Sequence, residues 1–217
     1  MRAWELRRAA AAFFSPNRCP FCGCVIGIRR LWCEECTAAL RSVEEQPDPP
    51  GLDGFSAAYS YTGRARSAVL RMKRGYFRYS IDAFAAIIAE NARELIGAAD
   101  VITSVPSGRK RIEELGYAHS RMIAGICADI CRKPYRDLLE VTGEKLEQKH
   151  LSRDQRFENA RRSFRVSDPE YAAGRKILVI DDICTTGATL GAIAEKLRAA
   201  GADSVAGAVF ARTPRRE

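Results

Sequence analysis

The chain has 217 residues and a mass of 24.0 kDa, room for one ordinary domain and a small extra module but not for two large domains. Hydrophobic residues make up 47% and charged residues 29%, the balance of a chain that buries a core, which excludes a disordered tail and a fibrous repeat. Lys plus Arg number 35 against 27 Asp plus Glu, a net charge of +8, so phosphate-bearing partners are favoured, either a nucleic acid or a small substrate.

The N-terminal MRAWELRRAAAAFF reads as a short amphipathic helix that stops at Ser15 and Pro16. No small-residue cleavage site follows, so it is not read as a secretion signal. Trp4, Leu6, Phe13 and Phe14 are expected to pack on the rest of the protein rather than on a membrane surface. No apolar run approaches the roughly 18 residues of a membrane-spanning helix, and a cytoplasmic location is expected. Next come two CxxC pairs, Cys19 with Cys22 and Cys33 with Cys36, separated by ten residues. Two residues between thiols form a knuckle that aims both sulfurs at one point, and two knuckles complete the tetrahedral four-thiolate site that suits structural Zn2+. Cys24 is the spare thiol. Filling all four positions from the protein leaves none for water, so this metal is expected to be structural, supplying most of the folding energy of a small module.

The stretch from Glu44 to Gly54, EEQPDPPGLDG, is rich in proline and glycine and reads as linker. The chain therefore divides into 1–46 (N-terminal helix and double zinc ribbon), 47–54 (linker) and 55–217 (main domain). Phe55 to Tyr61 reads as a strand and Ala65 to Arg74 as a short basic helix. Ile81, Phe84, Ala85, Ile88, Ala92 and Leu95 recur at helical spacing, and Val101 to Val105 is a buried-strand candidate before Pro106. A helix from Tyr117 to Cys131, a strand from Leu138 to Val141 and an apolar strand from Ile177 to Ile180 follow. A helix beginning near Thr189 and ending at Gly201, then a strand from Val205 to Phe210, complete the series. Strands alternating with helices predict an α/β fold, a mainly parallel sheet with helices on both faces. Ligands in such folds sit at the carboxyl ends of the strands.

That rule selects ILVIDDICTTGATL, residues 177–190. The strand is expected to end at Asp181 and Asp182. Thr185, Thr186, Gly187, Ala188 and Thr189 can then wrap amides and hydroxyls around a phosphate at the positive end of the next helix, with Gly187 allowing close approach. Two adjacent carboxylates are acceptors suited to the neighbouring hydroxyls of a ribose whose 5-phosphate fills the turn. The turn has no Lys, so it is not the loop of nucleoside triphosphatases. Arg109, Lys110 and Arg111 form a compact cationic cluster after a strand end, suited to a diphosphate or its magnesium complex. Val105 to Pro106 is a candidate cis peptide. Cys127 and Cys131 are read as core residues, Cys184 as a thiol with some access, His150 as solvated, and His119 as a residue that could meet substrate.

The strand, paired acids and TTGAT turn resemble the phosphoribosyl-pyrophosphate (PRPP) signature of type I phosphoribosyltransferases. With a four-cysteine module in front, the layout resembles the ComF family of competence-associated proteins. LRMKRG at 70–75, QKHLSRDQRFENARRSF at 148–164, where Gln148, Leu151, Ser152, Arg156 and Asn159 match, and the closing GADSVAGAVFART extend the likeness. The resemblance implies a type I phosphoribosyltransferase-like domain over 55–217. It also implies that PRPP binds with Mg2+, that Lys73 and the loop from Ser104 to Gly116 handle pyrophosphate, and that the segment from Gln148 to Arg162 is a mobile flap. Where the family has a second proline, an Arg and Asn-Gln, this chain has Ser104, Leu115, and Ala118 with His119, so pyrophosphate release is where it departs. Two functions follow: Mg-dependent phosphoribosyl transfer to an acceptor that the sequence does not name, or a non-catalytic role in DNA uptake with the competence machinery, handling single-stranded DNA or sensing PRPP.

Overall fold

Ile177, Leu178, Val179 and Ile180 are all buried, as an apolar run covered on both faces must be. They form the middle of a strand at the centre of a four-stranded parallel sheet. The computed structural model describes residues 10, 16–74, 78–108, 112–113, 116–142 and 162–215. The strands are β1 (Gly54–Ser60), β2 (Val101–Ser104), β3 (Leu139–Val141), β4 (Phe164–Val166), β5 (Lys176–Cys184) and β6 (Ser204–Arg212). The helices are α1 (Glu34–Ala38), α2 (Gly63–Lys73), α3 (Arg78–Asn91), α4 (Arg93–Ala98), α5 (His119–Cys131), α6 (Pro169–Ala172) and α7 (Ala188–Ala199). The sheet order is β1, β6, β5, β2, and no described helix is long and apolar enough to cross a membrane.

Helices cover both faces. Ile123 and Ala124 of α5 and Phe84 and Ile88 of α3 join Leu178, Ile180 and Phe210 in one core, while Leu190 and Ile193 of α7 join Ile177, Val179 and Val205 in the other. The chain therefore leaves β2 toward one face and β5 toward the other. Neighbouring strands whose following helices diverge in this way leave a crevice at their carboxyl ends, the usual ligand position in open α/β sheets.

The structure departs from the sequence expectations in four places. β5 does not end at the aspartates: its pairing with β6 runs past them, through Asp181↔Val209 to Ile183↔Ala211 and Cys184↔Arg212. The strand expected from Leu138 to Val141 forms over Leu139–Val141, but it pairs antiparallel with β4 in a separate two-stranded sheet. The reason lies at the edge of β2, where Ile102 already exchanges backbone hydrogen bonds with the chain at Pro134 and Arg136, after which the chain turns away. The single long helix expected from Ile81 to Leu95 is two, α3 and α4, divided at Ala92. Finally, no described peptide bond is cis, so Val105 to Pro106 is trans. Val105 still donates its amide to Ile180 O at 3.0 Å, holding the residue before the proline in the extended conformation that proline favours there.

The cysteine-rich segment shares the first core. Phe21 lies 6.2 Å from Phe210, which stacks on Phe84 at 3.7 Å and meets Tyr59 edge-on. Gln46 to Asp53 is fastened to the same sheet. Arg212 donates to Gln46 O and Pro47 O, Arg198 donates to Gly51 O, and Asp53 pairs with Arg198 at 2.6 Å and accepts from the Val205 amide. Phe210→Ala removes the ring that joins the segment to the sheet, and is expected to destabilise the protein by about 3–5 kcal/mol. A urea melt would read this as a lower midpoint at an unchanged slope.

Candidate functional site: an acidic doublet in the crevice and a four-cysteine cluster

Two constellations stand at opposite ends of α2. At its start, Cys19, Cys22, Cys33 and Cys36 place their sulfurs within 4.8 Å of one another. Four Zn–S bonds of about 2.3 Å in a tetrahedron put neighbouring sulfurs about 3.8 Å apart, and Cys22 Sγ lies 3.7 Å from Cys33 Sγ. The donor set and its spacing fit zinc. Arg64 donates to Cys36 Sγ at 2.7 Å, placing a cation against a cluster that carries surplus negative charge once its thiols ionise. Cys24 lies outside the converging set.

Lys73 ends α2 about 14 Å further along its axis, nine residues at a rise of about 1.5 Å each. It pairs with Asp182 at 2.8 Å. The neighbouring carboxylate of Asp181 accepts from Ser120 Oγ at 2.7 Å and from the Asp182 amide at 2.8 Å, both on Oδ1. These residues meet because the strands are of unequal reach. The last β2 partner of β5 is Ser104, opposite Ile180, so the next two residues of β5 have no strand beside them on that edge and their carboxylates occupy the crevice. Burial, followed by the neighbouring Asp182 charge, pushes the Asp181 carboxyl up to about 6, against the pull of the Ser120 hydrogen bond and of Lys73.

The hydroxyl-rich turn follows directly. Gly187 has φ +80 and caps α7, and a Cβ there would come within 2.6 Å of Pro49, so this turn accepts only glycine without moving the strap above it. Thr186 Oγ1 accepts from the Ala188 amide. Cys184 is buried, and burial pushes its thiol up to about 11, so it is not the accessible thiol expected from the sequence. His119 is also buried; its Nε2 donates to Met72 O at 3.1 Å, and its ring meets Tyr117 edge-on, so it braces the end of α2 beside Lys73. Cys127 is fully buried and Cys131 half-buried.

Thus Lys73, Asp181, Asp182 and the turn from Thr185 to Thr189 come together, whereas Arg109, Lys110 and Arg111 and the segment 143–161, including His150, lie outside the described residues. Sequence reasoning missed Ser120, which reads as an ordinary helix-start serine. It also missed a polar chain at the end of β2. Ser104 Oγ lies 3.0 Å from Tyr135 OH, which donates to Asp137, and Asp137 pairs with Arg121 at 2.7 Å.

Residues 122–217 match the family model of the phosphoribosyl transferase domain. A comparison with curated proteins finds no match. Among solved structures, the allosteric regulatory enzyme of purine biosynthesis is 22% identical with a TM-score of 0.36, the match covering 57% of this chain and 26% of that one. Glutamine PRPP amidotransferase from B. subtilis, complexed with ADP and GMP, is 21% identical with a TM-score of 0.37, over 57% and 26%. The chain spans about a quarter of the length of either protein.

The cysteine geometry gives a direct expectation. Cys22→Ser and Cys33→Ser lose the zinc measured by elemental analysis of the purified protein, whereas Cys24→Ser retains a single ion per chain, since four thiolates already complete the tetrahedron.

Proposed function

We propose, from the phosphoribosyl transferase-type match of residues 122–217, that the crevice binds a 5-phosphoribosyl ligand, PRPP as its magnesium complex. The observation that carries this reading is the sequence of groups along one stretch of chain. Two carboxylates stand where β5 outruns β2, and a glycine-anchored hydroxyl turn at the start of α7 follows two residues later. The turn offers amides and hydroxyls at a helix N-terminus to the 5-phosphate. Asp181 and Asp182 offer acceptors to the two neighbouring ribose hydroxyls, a role in which a carboxylate outcompetes water because it is partly desolvated. Mg2+ keeps several waters and prefers substrate phosphates to an all-protein cage, so it arrives on the diphosphate and belongs to the substrate.

Lys73 has a second duty in this reading. In the free protein it neutralises Asp182; with the ribose hydroxyls on the doublet, its ammonium is free to face the diphosphate. Arg109, Lys110 and Arg111 are proposed to join it there. In the transfer itself the bond from the anomeric carbon to the pyrophosphate oxygen breaks, pyrophosphate leaves with the electron pair, and an acceptor's lone pair forms the new bond. The chain's contribution is to hold the phosphate and hydroxyls still and to stabilise the leaving group, with no covalent nucleophile of its own. The finer assignment, to proteins resembling the ComF family, is supported by the four-cysteine cluster ahead of the domain, and a role in DNA uptake would come with it.

Calorimetric titration with Mg-PRPP tests the site. Wild-type protein is expected to bind PRPP more tightly than ribose 5-phosphate, and folded Asp182→Asn to bind PRPP at least tenfold more weakly, about 1.4 kcal/mol. Equal affinity in that variant would remove the doublet from the site.

A further inference from the structure

We propose that Ser120 is a positioning residue for the acidic doublet, anchoring Asp181 through Oδ1 so that Oδ2 remains for a ligand hydroxyl. The inference rests on the ribose-binding reading above and extends it to a residue that lies ahead of the family match, which begins at residue 122.

Three observations carry it. First, a serine inside a helix ordinarily turns its hydroxyl to solvent or back onto that helix's own backbone. α5 begins after Ala118 with no side-chain cap, and Ser120 instead reaches across to a carboxylate 61 residues later in the chain, at 2.7 Å. Second, both hydrogen bonds that Asp181 accepts from described residues, from Ser120 and from the Asp182 amide, end on the same oxygen. A carboxylate torsion is broad and roughly two-fold when left alone; two donors converging on Oδ1 fix the plane and keep Oδ2 out of internal bonding. Third, Ser120 is itself buried, so the bond is partly shielded from water and its geometry is set by the packing of α5 on β5.

The electrostatics give the inference a readout that a merely structural serine would not move. Among the described residues, the charged and titratable groups facing Asp181 are Asp182 on its own strand and Lys73 from α2, with the un-ionised Cys184 thiol beyond. Its carboxyl already sits near 6 because of burial and Asp182, and the Ser120 hydrogen bond lowers it. An ionised carboxylate accepts from a hydroxyl much more strongly than its protonated form does, so affinity for the pentose falls as pH drops through that value. Without the Ser120 hydroxyl the carboxyl takes up its proton at higher pH, and the same fall begins earlier.

Titration of wild-type protein, Ser120→Ala and Ser120→Thr with Mg-PRPP between about pH 5 and pH 8 tests this. Ser120→Ala is expected to weaken binding at pH 7 about tenfold, the size of one hydrogen bond to a charged group, and to move the acid limb of the profile upward. Ser120→Thr, which keeps the hydroxyl, restores most of the affinity and the wild-type limb. In the ligand-free protein, the carboxyl carbon resonance of Asp181 is expected to titrate at higher pH in the alanine variant, which keeps the inference testable should that variant bind poorly through loss of stability. Wild-type binding with an unmoved Ser120→Ala profile, or an unmoved Asp181 titration, would overturn the role of Ser120 and leave the ribose-binding reading standing. Absence of PRPP binding by the wild type would overturn both.

Discussion

The site depends on one inequality of length. β2 ends at Ser104, opposite Ile180, while β5 runs on for four residues held by β6 alone. A strand flanked on both sides has no room for two adjacent carboxylates, because backbone and apolar side chains would strip them of water without replacing it. With one flank withdrawn, Asp181 and Asp182 keep strand geometry from β6, Asp181 half-buried and Asp182 buried beside Lys73. The cost of partial burial is then met locally: Lys73 supplies a counter-charge to Asp182, and Ser120 with the Asp182 amide supplies hydrogen bonds to Asp181. A buried like-charge pair without these would protonate rather than persist as two carboxylates.

The same helix that delivers Lys73 also carries the cysteine segment. Arg64 meets Cys36 Sγ, and Arg71 donates to Pro20 O at 2.7 Å and to Phe21 O. Two residues beyond Arg71 the ammonium of Lys73 meets Asp182. The cysteine cluster therefore does more than fold itself: its backbone carbonyls grip the last turn of α2, and the position of that turn sets where the lysine reaches. Phe21, seated against Phe210, keeps the segment in the main core rather than tethered beside it.

What was legible in the sequence follows from how local each signal is. The two CxxC knuckles, the apolar run before the aspartates and the glycine of the turn are encoded within a few residues, and each appears where its pattern predicts. Periodicity could not say that β5 would outlast β2, because strand length at a sheet edge is set by a partner some seventy residues away in sequence. For the same reason Leu138 to Val141 reads as one more strand of the main sheet, when the edge it would need is already occupied by the chain at Pro134 and Arg136. Ser120 carries no signal at all. Its neighbours Ala118 and His119 draw attention as departures from a family pattern, yet His119 turns out to brace Met72, and the contact with the doublet comes from the residue after it.

The strap from Gln46 to Asp53 shows how a proline-rich stretch can be a working part of a site rather than a tether. Arg212 is 7% exposed, and its guanidinium is held by the carbonyls of Gln46 and Pro47 and by the Phe55 ring at 5.0 Å. Lifting the strap would break both of its hydrogen bonds to that cation at once. Fastened in this way, the strap sets Pro49 against Gly187. The hydroxyl turn is thereby walled from outside by the strap and from below by the start of α7, so its left-handed glycine has a single conformation to adopt. A loop that must surround an anion with its own amides gains affinity when its shape is fixed before the anion arrives. In the proposed reading that shape is fixed by a buried arginine at the end of β6, which never needs to touch the ligand.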